Sequence, residues 1–170
     1  NWLDFVIVFY SYPIYLYLNF SGYTDLIIAI TKMCGMTTMP ENFNRPYLAR
    51  NIQDFWSRWH ISFGVWIRQY IFNVLSKKLL SVLGFKREAL ALGTAVIISF
   101  IIVGAWHGTT SNFLIFGLLH GSAVILTSTY GTFLKKMLGK KGRKKFEEKF
   151  LVKSFSTFLC FNFVCATVLL

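Results

Sequence analysis

The chain has 170 residues, 55% of them hydrophobic and only 15% charged, well below the ~25% charged share of soluble domains. Its 18 Phe, 8 Tyr and 5 Trp exceed what a soluble core of this size needs and suit a bilayer and its interfaces. The net charge of +11 does not point to nucleic acid, because half of the basic residues crowd into Lys135–Lys153, the pattern of a juxtamembrane basic loop.

Both ends lie in apolar stretches, and the chain starts without Met and shows no signal-peptide pattern. The reading is therefore of a piece cut from a longer protein. Trp2 to Phe20 is long enough for a spanning helix, with Pro13 as a kink; Ser21-Gly22 is expected to break it, and Tyr23 to Met36 to form a shorter apolar piece carrying Asp25. Thr37 to Arg50 is a polar connection, where Pro40 and Pro46 disfavour regular structure. Asn51 is a predicted N-cap, with Asp54 at the third helical position. From Asn51 to Leu75 apolar residues recur at helical spacing, among them Phe55, Trp59, Phe63 and Trp66, which predicts one long helix. Its other face carries Asp54 and Arg58, four apart and able to pair. Such a helix reads as interfacial, re-entrant or lining a polar cavity.

Lys77-Lys78 and Lys86-Arg87 then flank a short apolar piece. Leu90 to Trp106 and Asn112 to Tyr130 are predicted spans, Lys135 to Lys153 a basic loop, and Phe155 opens a last span. The positive-inside rule puts both basic segments on the cytoplasmic side, with the two intervening spans as a hairpin. The fold class is an all-α, multi-pass transmembrane bundle, with residues 1–170 forming part of one domain.

Three histidines, His60, His107 and His120, fall within or beside apolar segments. Ionisable groups at membrane depth are costly and usually face the protein interior or a water-filled path, and imidazole exchanges protons near neutral pH. Each could equally be a neutral ring bonded inside a helix bundle. Gly104 and Gly108 around His107 leave room for close backbone approach. Ser62 is two residues from His60, so on one helix the pair would point apart. Cys34, Cys160 and Cys165 form no CxxC and read as buried small hydrophobes; no metal site is expected. Nucleophile-elbow, phosphate-loop and zinc-protease motifs do not occur.

NFNRPYLARNIQDFWSRWHIS, followed by GAWHG and LLHG, resembles the membrane-bound O-acyltransferase family. The likeness runs from about Phe20 to about Gly121. It is closest to the bacterial branch that includes the alginate O-acetylation membrane protein and the D-alanyl transfer protein of teichoic acid modification. The resemblance implies that His107, in WHG, is the catalytic residue and His60, in RWHIS, the second signature position. His120 matches a further histidine of the bacterial branch. Arg58, Trp59, Trp106 and His120 are the implied substrate-binding residues. The sequence departs from relatives after His60, where SFGVWIRQY stands in place of SLSTWLRDY and Gln69 replaces an acidic residue.

What the resemblance further implies is a many-helix protein with a membrane tunnel, in the bacterial cytoplasmic membrane and in contact with its lipid. It would move an acyl group, acetyl first, from acetyl-CoA or an acyl carrier protein toward an extracytoplasmic polysaccharide hydroxyl. Expected partners are that donor and a separate exported transferase or polysaccharide machinery, and no tightly bound cofactor. D-Alanyl transfer to teichoic acid is the alternative. A scaffold or a proton-relaying transporter is the non-enzymatic one, although no paired broken-helix repeat supports a transporter.

Overall fold

The structure, a computed structural model, describes residues 1–36 and 38–170; Thr37, the first residue of the polar connection, lies outside them. Helix α1 spans Trp2–Met33 without interruption. The break expected at Ser21-Gly22 is absent. In apolar surroundings no water is available to satisfy an opened turn, so the backbone keeps its helical bonds. The Thr24 hydroxyl adds a bond to the Ser21 carbonyl at 2.8 Å. At 1.5 Å per residue α1 is about 48 Å long, more than a hydrocarbon core of about 30 Å. It leaves Trp2, Ile7, Leu18 and Ile30 exposed, an apolar surface suited to lipid.

The predicted helix from Asn51 to Leu75 is not one helix. It becomes α2 (Ile52–Trp56), a break at residues 57–60, and then α3 (Ile61–Ile67), a π-helical turn (Arg68–Phe72) and α4 (Asn73–Leu83) in one uninterrupted run. The start is as expected: Asn51 Oδ1 accepts the Asp54 amide at 2.9 Å, and Arg58 Nε donates to Asp54 Oδ1 at 2.7 Å. The break has a specific cause. Residues 42–44 of the polar connection pair antiparallel with residues 58–61, the Asn44 amide donating to the Arg58 carbonyl and the Ile61 amide to the Asn42 carbonyl at 2.9 and 3.0 Å. Phe43 stands opposite Trp59. Backbone groups that a continuous helix would use internally are thereby taken by another segment.

Helices α5 (Glu88–His107) and α6 (Ser111–Glu147) form the tightest pairing, an antiparallel hairpin. Small residues make it possible, as between membrane helices generally. A Cβ added at Gly104 would overlap the Phe113 carbonyl oxygen, and one at Gly117 the Phe100 carbonyl oxygen. Gly93 lies level with Ile125 and Gly104 with Gly117, so the start of α5 and the Lys135 region of α6 share one end.

Helix α6 continues well past Tyr130, so the basic segment expected as a loop is helical as far as Glu147. It is bent at Gly139, whose φ of 68° suits glycine. Beyond the bend, Arg143 Nη1 reaches back to the Gly131 carbonyl at 3.0 Å while its Nε pairs with Glu147 at 2.7 Å. Helix α7 is Phe150–Val168. Among the described residues, four segments are long and apolar enough to cross a membrane: Trp2–Met33, Phe85–His107, Ser111–Glu147 and Phe150–Val168. The protein is thus an all-α, multi-pass membrane protein.

A small core, Ala49, Ile52, Phe55, Cys160 and Val164, packs around α2 and ties it to α7. Tyr47 donates its hydroxyl to the Pro13 carbonyl at 2.6 Å, and Tyr10 donates to Asn162 Oδ1 at 2.9 Å, which tie α1 to this core. Cys160 and Cys165 are buried as expected, whereas Cys34, just past the end of α1, is exposed.

Candidate active site

The helix break creates the position of His60. It is the N-cap of α3 with a left-handed backbone (φ 45°, ψ 57°), uncommon for a residue with a side chain. Because His60 gives α3 no side-chain cap, Asn42 supplies one from outside. Its carbonyl takes the Ile61 amide, and its Oδ1 takes the Ser62 amide at 3.0 Å and the Ser62 hydroxyl at 2.6 Å. His60 Nδ1 lies 3.4 Å from the same Oδ1. A backbone amide can only donate, so the atom facing it is the oxygen, and His60 Nδ1 donates to that oxygen as well. Its Nε2 is left with a free lone pair. Ser62, expected to point away from His60, therefore shares its partner, because the two are not on one regular helix.

Aromatic rings hold His60 in place: Phe20 meets it edge-on at 4.9 Å and Phe63 stacks on it at 5.1 Å. Phe63 stacks in turn on Trp106 at 4.7 Å, and Trp106 meets His107 edge-on at 4.9 Å. His107 is the last residue of α5, with Phe116 edge-on at 5.7 Å. Its ring forms no side-chain hydrogen bond among the described residues, whereas His60 and His120 both do. A Cβ at Gly108 would overlap the Phe113 ring, so the glycine after His107 is what lets Phe113 close over the turn.

One cavity of about 270 Å³ brings His60, His107 and His120 together, with Trp59 and Trp106 also in its wall. The rest of the lining is largely aromatic and aliphatic, including Tyr47, Trp56 and Phe116. Arg58 is not in this lining. It is held away by Asp54, and its Nη1 reaches the Asn44 carbonyl at 3.4 Å. Burial first, and the nearby His107 second, lower the His60 pKa, so its imidazole stays neutral below the ordinary range. Burial likewise raises the Tyr47 hydroxyl, which keeps its proton. The arrangement can offer imidazole nitrogens to a polar group within a largely apolar cavity.

Asn42, Trp56 and Thr167 escape a reading by residue type. Asn42 looks like a turn residue, Trp56 like core, and Thr167 lies in an apolar run far along the chain. Only the fold brings them to the histidines.

The sequence profile of MBOAT, the membrane-bound O-acyltransferase family, matches residues 2–167. A teichoic acid D-alanyltransferase of Streptococcus thermophilus is 30% identical over 96% of this chain and 40% of its own length. A peptidoglycan O-acetyltransferase of Helicobacter pylori is 39% identical over 74% of this chain and 22% of its own length. A protein named a probable alginate O-acetylase from Azotobacter vinelandii is 37% identical over 66% of this chain and 21% of its own length. The chain thus spans less than half the length of these relatives. With a profile match along nearly all of its length, the chain belongs to the membrane-bound O-acyltransferase family.

Proposed function

We propose that the protein is a membrane O-acyltransferase that moves an acyl group, acetyl first, from a cytoplasmic thioester toward an extracytoplasmic polysaccharide hydroxyl. The observation that carries this reading is the unbonded ring of His107 beside His60 in one largely apolar cavity. A general base needs a free nitrogen within reach of the proton it takes. His107 would accept the proton of the acceptor hydroxyl as its oxygen attacks the thioester carbonyl. The tetrahedral adduct then collapses, the carbon–sulfur bond breaks, and the thiolate takes the proton back from His107. Products are an ester and a free thiol, and no further reactant is needed. His60, Trp59 and Trp106 would orient acceptor and donor, His60 through a neutral ring. The aromatic walls limit competing hydrolysis.

Acetyl-CoA or an acyl carrier protein is the donor in this reading, and basic residues favour either anion. A separate exported transferase or polysaccharide machinery would receive the group. The host is a bacterial cytoplasmic membrane, with the Lys135–Lys153 segment on the cytoplasmic side. D-Alanyl transfer to teichoic acid is the second reading, supported by the relative of that name, which is similar over 96% of this chain.

The test is transfer by the full-length protein from labelled acetyl-CoA, with labelled D-alanyl carrier protein in parallel. His107→Ala is expected to lower the rate by about 10²–10⁴, the usual worth of a general base. A folded His107→Ala protein that transfers at the wild-type rate would overturn the assignment.

A further inference from the structure

His120 lines the same cavity, yet it is only 1% exposed and both of its ring nitrogens are engaged. The Trp56 indole N–H can only donate, so Nδ1, which faces it at 3.2 Å, is the unprotonated nitrogen. The ring proton therefore sits on Nε2, 2.9 Å from Thr167 Oγ1. The Thr167 hydroxyl donates in turn, shared between the Phe163 and Val164 carbonyls at 3.0 and 3.1 Å. Donation runs one way, from indole to imidazole to hydroxyl to backbone. A second proton on the ring would set N–H against N–H.

Among the described residues that line the cavity, no side chain carries a negative charge to compensate such a charge. Phe116 and Phe163 cover the ring at 4.3 and 5.2 Å. No carboxylate from α2, α5, α6 or α7 lines the cavity among the described residues; the titratable groups that do are Tyr12, Tyr47, His60 and His107.

We propose that His120 is a positioning residue that pins the end of α2 to α6 and α7 as a neutral Nε2–H ring, and so fixes the helix break that presents His60 beside His107. Trp56 is the last residue of α2, four before His60, and Thr167 belongs to α7. The pin therefore joins three elements at the point where the chain leaves its helix. The consequence for catalysis rests on the acyl-transfer reading; the protonation state and the pinning do not.

Two measurements on the full-length protein test this. Nitrogen-15 spectra of labelled histidines, with His120 assigned by its loss in His120→Gln, are expected to show bare Nδ1 and protonated Nε2 from about pH 5 to pH 8. A doubly protonated ring, or a proton on Nδ1, overturns the proposal. In transfer assays Trp56→Phe and Thr167→Val are each expected about tenfold below wild type, with no change in the shape of the pH profile. If a folded His120→Ala protein loses the acidic limb of that profile, His120 carries protons and the proposal is wrong. A wild-type protein that transfers no acyl group sinks the acyl-transfer reading instead, and the spectra still decide the role of His120.

Discussion

Asn42 shows how much one side chain can organise. Its amide caps α3 from a separate segment and holds Nδ1 of His60 as a donor. Asn42→Ala is expected to cost about 1–2 kcal/mol, the range for a lost N-cap, while Asn42→Asp, which keeps both acceptors, should retain most of that stability. Thermal unfolding of the purified protein checks this, and equal melting of Asn42→Ala and wild type would count against it. His60 itself gives a pH signature. Its folded pKa lies below the ordinary imidazole value of about 6.5. As the pH falls through that value the unfolded chain binds the proton first, so the folded state loses stability. His60→Gln should flatten this acid limb in unfolding curves recorded from neutral to mildly acidic pH. The three histidines stand out in the sequence because imidazoles are few among so many apolar residues. Their surroundings do not, since Asn42 acts across 18 to 20 residues and the left-handed backbone at His60 comes from pairing with that distant segment.

Helices read well where hydropathy alone decides them. Helix α5 and the spanning part of α6 lie where the apolar runs put them, since a long uncharged stretch has few alternatives in lipid. The segment from Asn51 to Leu75 reads less well for a physical reason. Its helical periodicity continues across the break, because Phe55 and Trp59 face the core on both sides of the start of the break. Periodicity records which side chains are buried, not whether the backbone between them is continuous. The α5–α6 hairpin depends on bare backbone contact at Gly104 and Gly117. Gly104→Ala puts a methyl group against a carbonyl that cannot swing aside. The expected result is a large loss of folded protein in membranes, while Gly22→Ala, with open space around it, should be tolerated. Membrane yield and size-exclusion profiles of the two variants make the comparison.

On the scale of the molecule, the hairpin sets the basic residues and the histidines apart. His107 closes α5 at the end opposite Lys86 and Arg87, about 30 Å away along the helix axis. If the basic end is cytoplasmic, as proposed, a cysteine at Lys141 in a Cys34→Ser background should react with an impermeant maleimide only after the cells are opened. Labelling in intact cells would reverse the orientation. The π-helical turn at Arg68–Phe72 inserts one residue beyond α-helical spacing, so counted along the sequence the stripes of α3 and α4 are indexed about 100° out of step. Phe63, which props His60, and the Lys77-Lys78 pair thus answer to separate registers. The turn thereby fixes the offset between them around one continuous run.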